Sequence, residues 1–230
     1  MSKHFDVKMN DLHTNGPLVS DFLSGQVSCF VGLSPTTPHV NAGRLRAIVD
    51  WTLERTESVM IVQGYFVNRW NLMVFDHLPM EVCEELVRKQ VGKFQRRLGR
   101  IVADKVNVNL RVFDWEAELK TYEYAAIKNK IAVFSLKNER FLELVDQSVK
   151  RFTLRQDQLE LSSLELNCLR EYVIEELAMF IRIYQMGYKV EIYPGEDMEI
   201  MAACSAGNFV DFPFPCAERT HVSLRVSDGY

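Results

Sequence analysis

Short apolar runs that alternate with helical patterns are the feature of this sequence that most limits its fold. The apolar runs occupy four segments: 28–33, 58–62, 106–113 and 188–193. Amphipathic helical patterns separate them, the first over roughly 42–56. Strands that alternate with helices form a mainly parallel sheet with helices on both faces, and such sheets bind ligands at the carboxyl ends of the strands. The sequence therefore predicts an α/β fold with a site at that edge, where Ser34 and Tyr193 fall.

Length and composition favour one globular unit. The chain has 230 residues, of which 47% are hydrophobic and 25% charged, enough for one substantial core. Neither an internal repeat nor a linker interrupts it, so we expect a single domain over 1–230 with irregular segments at 1–15 and 206–230. We also expect a monomer.

Several classes of protein are disfavoured by what the sequence lacks. Its five cysteines are scattered, without the paired spacing of a zinc site or a redox dithiol, so we expect reduced thiols and no metal. No signal core or bilayer-length apolar run is present, which predicts a cytoplasmic protein without a membrane partner. No Gly-x-Gly-x-x-Gly fingerprint or phosphate-binding loop occurs, so we expect no nucleotide cofactor.

Ser34 is the first candidate for chemistry. A serine at which a buried strand gives way to a loop can present its hydroxyl beside backbone N–H groups that stabilise an oxyanion. The alternative is an ordinary turn serine before Pro35. The Gly-x-Ser-x-Gly elbow of hydrolases is absent, because Thr36 stands in place of its second glycine.

A long helix that begins near Ser162 places one carboxylate on an apolar face. Ser162 and Glu165 have capping-box spacing, and Gly187 is positioned to end the helix. At the helical period one sector is polar and another apolar; the polar sector has Glu171, Glu175 and Arg182, and the apolar one has Leu169, Tyr172, Met179, Phe180 and Ile183. Glu176 falls in the apolar sector. A carboxylate there is costly unless it is paired or neutralised, so Glu176 is either functional or half of a buried salt bridge.

A second helical pattern, over 82–101, carries an unmixed basic stripe. Its apolar side consists of Val87, Val91, Phe94, Leu98 and Ile101, and its basic side of Lys89, Lys93, Arg96, Arg97 and Arg100. The span 88–100 contains no acidic residue, although the net charge of the chain is -4. Such a stripe is typical of a surface that contacts a phosphate backbone; a merely solvated helix face is the alternative.

Two short motifs of the chain resemble those of the cyclodipeptide synthases. That family's first motif leads from a histidine through apolar residues to Gly, an aliphatic residue and a nucleophilic Ser. Residues 32–34 match its end, whereas Ser28 replaces the histidine. The second motif is Tyr, an aliphatic residue, two residues, Glu, one residue and Pro. It matches from Tyr172 to Glu176, with Ala178 in place of the proline.

The resemblance implies a fold and a site. The fold is a Rossmann-like sheet similar to the catalytic domains of tyrosyl- and tryptophanyl-tRNA synthetases, which are class I enzymes, without their ATP motifs. The catalytic residues are Ser34, Tyr172, Glu176 and Tyr193. The substrate-binding residues are Phe30, Gly32, Met179, Phe180 and Glu191. Thr37 together with the Tyr-Pro pair at 193–194 is similar to the X-Tyr-Pro subfamily.

The resemblance also implies an activity in secondary metabolism. Two aminoacyl-tRNAs would be the substrates, held by the basic stripe. They would be joined into a cyclic dipeptide by a ping-pong mechanism through an aminoacyl-enzyme and a dipeptidyl-enzyme on Ser34.

Two other functions stay open on the residues alone. A serine esterase or acyltransferase would combine Ser34 with His39, yet it lacks the elbow glycine and leaves Glu176 unexplained. A non-catalytic RNA-binding module needs only the basic stripe, and it too gives Glu176 no role.

Overall fold

One six-stranded sheet forms the centre of the protein. A computed structural model describes residues 5–14, 18–34, 41–103, 105, 109–155 and 160–228. The strands in these ranges are β1 (Phe5–Thr14), β2 (Ser28–Leu33), β3 (Ser58–Gln63), β4 (Leu110–Val112), β5 (Val190–Tyr193) and β6 (Thr220–Asp228). Their order across the sheet is β1-β6-β5-β2-β3-β4. All neighbours are parallel except β1 and β6, which are antiparallel. The prediction of a mainly parallel α/β sheet is confirmed.

Helices connect the strands and cover the sheet. They are α1 (Leu18–Leu23), α2 (Ala42–Leu53), α3 (Arg69–Phe75), α4 (Met80–Val102), α5 (Trp115–Glu118), α6 (Tyr122–Lys137), α7 (Glu139–Arg155), α8 (Ser163–Gln185) and α9 (Glu199–Ser205). None of the helices in the described ranges is both long and apolar enough to cross a membrane. All five cysteines are free thiols.

The sheet separates two hydrophobic cores because side chains alternate along each strand. On β2, Phe30 packs into the core formed with α6, α7 and α8, whereas Val31 packs into the core formed with α2 and α4. On β3, Met60 and Ile61 divide in the same way. Both faces are therefore buried, which explains why these strands read as continuous apolar runs rather than alternating ones.

The long helix α8 begins and ends as its sequence predicts. The Ser162 side chain accepts a hydrogen bond from the Glu165 backbone N–H, and the Glu165 carboxylate accepts one from the Ser162 N–H at 2.8 Å. Beyond the helix, Gly187 adopts φ 94°, a conformation that favours glycine. These two features set the ends of α8, and its apolar residues pack into the core that contains Phe30.

The prediction of irregular segments at 1–15 and 206–230 was wrong for 5–14 and 220–228, whereas 206–219 contains neither helix nor strand. Residues 5–14 form β1, and 220–228 form β6, which lies between β1 and β5. Val222, Leu224 and Val226 alternate with polar residues in β6, a period-2 pattern that signals a strand. The strand expected over 106–113 contains β4 at Leu110–Val112, and 106–108 lie outside the described residues.

Candidate active site

A cavity of about 530 Å³ opens at the carboxyl ends of the parallel strands. It collects seven of the nine residues that the sequence assigns to catalysis and substrate binding. These are Gly32, Ser34, Tyr172, Glu176, Phe180, Glu191 and Tyr193. They come from β2, α8 and β5, which are distant in sequence, so the fold alone brings them together.

The other two of these residues lie behind the cavity wall. Phe30 and Met179 are fully buried, and neither lines the cavity. The Phe30 ring lies 5.7 Å from that of Phe180 and 5.8 Å from that of Tyr184, measured between centroids. Phe30 therefore supports the aromatic wall that Phe180 presents to the cavity.

Ser34 follows the last residue of β2 and is partly exposed. The Gly64 N–H donates a hydrogen bond to the Leu33 carbonyl at 2.9 Å, which ties the chain leaving β3 to the end of β2. Thr37 and His39, the candidates for subfamily and for an esterase partner, fall in 35–40, outside the described residues. At the other end of β2, the Ser58 hydroxyl donates a hydrogen bond to the Ser28 hydroxyl at 2.6 Å.

Two glycines hold the ring of Tyr193. A Cβ atom on Gly32 would lie 3.3 Å from Tyr193 Cδ2, and one on Gly195 would lie 2.6 Å from Tyr193 Cε1. The second distance is shorter than van der Waals contact allows, so a side chain at 195 would displace the ring. Tyr193 is thus clamped between backbone segments at the mouth of the cavity, at the end of β5.

Glu176 is a carboxylate on α8 that lines the cavity. Tyr172, one helical turn earlier on α8, lines the same cavity. Burial, and then the negative charges of Glu191 and Glu175, raise the pKa of Glu176 to about 8. Within the described ranges, no side chain forms an ion pair or a hydrogen bond with Glu176. Its position on the apolar face of α8 is therefore not explained by a salt bridge.

The buried salt bridge of α8 belongs to Glu175 instead. The sequence placed Glu175 on the polar side of the helix, and this was wrong. Its side chain is buried and accepts two hydrogen bonds from Arg69, at 2.7 and 2.6 Å. The indole N–H groups of Trp70 and Trp115 donate to the same carboxylate at 3.2 and 3.3 Å. The helix pattern could not reveal this pair, because Arg69 is 106 residues away.

A buried polar cluster, which the sequence did not predict, borders the cavity beside β5. Arg219 donates to Asp197 at 2.7 Å and to Glu191 Oε2 at 2.6 Å. His221 Nδ1 lies 3.6 Å from Glu191 Oε2. Burial by itself would raise the pKa of Glu191, but Arg219 and His221 lower it to about 2. The signal missed in the sequence was the strand pattern of β6, which places Arg219 and His221 here.

The cluster does not need a metal ion. Ligating atoms of Glu191, Asp197 and His221 lie within 4.8 Å of one another. However, the Arg219 guanidinium already bonds both carboxylates and supplies the positive charge that a cation would bring.

The basic stripe lies on α4, on the side of the sheet opposite to the core that contains α8. Val87, Phe94, Leu98 and Ile101 are buried, as predicted. Lys89 is exposed and pairs with Glu85 at 2.6 Å. The other four basic residues line an open groove of about 870 Å³ between α2 and α4: Lys93, Arg96, Arg97 and Arg100. Among the described residues, no carboxylate pairs with Lys93, Arg96 or Arg100.

Comparison with known proteins identifies the fold. No protein-family model matches the sequence, and no curated protein sequence matches it. Solved structures do match. A CDPS from Fluoribacter dumoffii is 16% identical with a TM-score of 0.82, and the match covers 99% of this chain and 100% of that one. A Mycobacterium tuberculosis protein, whose structure relates cyclodipeptide synthetases to type I tRNA synthetases, is 13% identical with a TM-score of 0.71, covering 99% and 96%.

A third match was solved with RNA. The cyclodipeptide synthase from Candidatus Glomeribacter gigasporarum, bound to Phe-tRNAPhe, is 15% identical with a TM-score of 0.55, and the match covers 89% of this chain and 88% of that one. The chain therefore has the fold of the cyclodipeptide synthases, which is related to that of the type I tRNA synthetases.

Proposed function

We propose that this protein is a tRNA-dependent cyclodipeptide synthase, an aminoacyltransferase that joins the aminoacyl groups of two charged tRNAs into a 2,5-diketopiperazine. One observation carries the proposal: Ser34, Tyr172, Glu176 and Tyr193 line a single cavity at the carboxyl ends of the parallel strands. Solved structures with the same fold are cyclodipeptide synthases. The Tyr-Pro pair at 193–194 supports assignment to the X-Tyr-Pro subfamily.

The first step is an exchange between esters. The Ser34 oxygen attacks the ester carbonyl of the first aminoacyl-tRNA, the bond to the ribose oxygen breaks, and the serine proton ends on the departing ribose hydroxyl. A charged tRNA is already an activated ester, so this step needs no nucleotide cofactor. Most of the catalysis comes from holding the ester against the hydroxyl.

Glu176 suits the next proton transfer. Its pKa of about 8 is close to the value of about 7.7–8.0 for α-amino groups, so it can accept the proton of the bound ammonium group near neutral pH. Tyr172 lines the cavity beside it and is proposed to hold the same amino group. The free amine then attacks the ester of the second aminoacyl-tRNA, which releases that tRNA and leaves a dipeptide on Ser34.

Ring closure returns the enzyme to its starting state. The terminal amine of the dipeptide attacks its ester to Ser34, and the serine oxygen leaves and regains a proton. The peptide bond must be cis in the ring, at a cost of about 2.5–4 kcal/mol for non-proline residues. Tyr193, clamped beside Gly32, is placed to orient the ester or to transfer this proton.

Retention of labelled acyl groups on the protein tests the proposal. Purified protein mixed with tRNA that carries a radiolabelled aminoacyl group should retain label after acid precipitation, and the products should include a cyclic dipeptide. Ser34→Ala should lose both. Ser148→Ala is the matched control, since it removes a cavity hydroxyl that already donates to the Leu144 carbonyl at 3.0 Å. Label retained by Ser34→Ala would contradict the mechanism.

A further inference from the structure

Glu191 brings a carboxylate to the inner wall of the cavity. Its neighbours on β5, Val190 and Ile192, pack into the core with α2 and α4, so Glu191 points to the opposite face. Its partner in the register of β2 is Phe30, whose ring supports that of Phe180. Glu191 therefore lies deeper along the strand than Tyr193, beside the aromatic wall.

The carboxylate is held ionised by partners on only one of its oxygens. Oε2 accepts hydrogen bonds from Arg219 at 2.6 Å and from the Tyr184 hydroxyl at 3.3 Å, and His221 faces it. Within the described ranges, no side chain donates to Oε1. Oε1 lies 3.9 Å from the position of a Cβ on Gly32, which also lines the cavity. One oxygen of a fixed anion is thus open to the cavity as an acceptor.

Because Glu191 Oε1 is an open acceptor inside the cavity, it discriminates between aminoacyl side chains with and without a hydrogen-bond donor. An aliphatic side chain against Oε1 would strip water from a charged oxygen and give no hydrogen bond in return. A side chain with a donor restores that bond, and a hydrogen bond to a charged acceptor is stronger than one between neutral groups. Phe180 offers apolar contact to the rest of the side chain.

We infer that the cavity selects an aminoacyl group whose side chain carries an N–H or O–H donor, with Glu191 Oε1 as its acceptor. This inference rests on the proposed function, since it concerns the group that is transferred to Ser34.

Pairs of charged tRNAs that differ by one donor test it directly. The rate of acyl transfer to the protein is measured with Tyr against Phe, Thr against Val, and Ser against Ala. The wild type should prefer a donor-bearing member by roughly 5- to 100-fold in at least one pair. Glu191→Leu should abolish or invert that preference. Glu191→Gln keeps an acceptor for Arg219 and should weaken the preference for donor-bearing side chains. This second variant tests the inference even if the Leu variant does not fold.

The outcomes separate the possible roles of Glu191. An equal loss of rate for every aminoacyl group in Glu191→Gln would mean that it holds the common amino group, and this would overturn the inference. A wild-type preference for Phe, Val and Ala would overturn it as well, while leaving the proposed function standing. No transfer from any charged tRNA would contradict both. Glu218→Gln, which removes an exposed carboxylate paired with Lys189, is the control for loss of one charge.

Discussion

At the scale of single residues, the cavity holds two carboxylates with opposite titration behaviour. Burial raises the pKa of Glu176 to about 8, whereas Arg219 and His221 overcome burial and lower the pKa of Glu191 to about 2. At neutral pH Glu191 is therefore ionised, whereas Glu176 is mostly protonated without substrate. An ammonium group bound beside Glu176 favours its carboxylate form, which can then accept a proton. Separate pKa values in one site support the separate tasks proposed above: Glu176 exchanges protons, and Glu191 remains a fixed charge.

The raised pKa of Glu176 predicts how stability depends on pH. The folded protein keeps this proton up to about pH 8, whereas an unfolded glutamate loses it near 4.5. Between these values the native state binds more protons, so the group destabilises the fold as pH rises, by at most about 1.4 kcal/mol per pH unit. Glu176→Gln removes this dependence. Its unfolding free energy relative to the wild type should increase from pH 5 to pH 8, as measured by urea denaturation.

The turnover of Glu176→Gln should be lower than that of the wild type, although its stability is higher. Glu176→Gln cannot accept a proton, so cyclic dipeptide formation should fall by roughly 10²-fold or more. Glu171→Gln, on the same helix and paired with Lys128 at the surface, controls for loss of one carboxylate. Wild-type turnover in Glu176→Gln, or a stability difference that does not change with pH, would assign Glu176 a structural role.

The sequence predicts the environment of some site residues but not of others. Glu176 could be recognised because its neighbours on the same helix define an apolar face, which is local information. The partners of Glu175 and Glu191 could not, since Arg69 and Arg219 reach them only after the sheet has formed. Helical periodicity gives the side of a helix but not whether a neighbouring element supplies a counter-charge.

At the scale of elements, the pair of Arg69 and Glu175 joins α3 to α8. The guanidinium also donates to the Phe66 carbonyl at 3.0 Å, so it anchors the start of α3 as well. The adjacent residue on α8 is Glu176. The pair thus fixes the position of the helix that carries the proposed proton acceptor.

Removal of one partner should destabilise the fold strongly. Arg69→Met leaves the Glu175 carboxylate buried without its counter-charge, which costs about 3–5 kcal/mol. The double variant Arg69→Met, Glu175→Leu should recover much of that loss, because both charges are gone. Arg170→Met, which breaks a partly exposed pair with Asp146, should cost at most about 1 kcal/mol. Urea unfolding of the four proteins checks this; an Arg69→Met loss no larger than that of Arg170→Met would refute it.

The sequence predicted β2, β3 and β5 better than β1 and β6. β2, β3 and β5 were recognised because burial on both faces makes them continuous apolar runs. β1 and β6 were missed because β1 is exposed over much of its length and β6 alternates polar and apolar residues. The topology that places β6 inside the sheet follows from neither pattern, since it depends on pairing across the whole chain.

At the scale of the whole molecule, the cavity and the basic groove belong to different sides of the sheet. The groove residues Lys93, Arg96 and Arg100 extend from α4, which packs on the core with α2. The aminoacyl end of a tRNA is small compared with the rest of the molecule. We expect its phosphate backbone to contact the groove side while the acylated end enters the cavity.

Loss of two groove cations should reduce the salt dependence of tRNA binding. Lys93→Ala, Arg96→Ala removes two phosphate contacts, so log K against log salt should flatten by roughly 0.9 per lost contact, equally for different charged tRNAs. Arg140→Ala, Lys150→Ala removes two exposed cations from α7 and should leave the slope unchanged. Titrations at several ionic strengths measure the slopes. The same slope in both double variants would exclude α4 from the tRNA site.

The place of β6 between β1 and β5 also bears on biosynthesis. β1 emerges from the ribosome long before its partner β6, because Phe5 pairs with Asp228, which lies far along the chain. A nascent chain that has reached residue 218 already contains Ser34, Glu176 and Glu191, but not Arg219 or His221. Without them, burial would drive Glu191 towards its protonated form. The electrostatic state of the cavity is therefore completed only when β6 enters the sheet between β1 and β5.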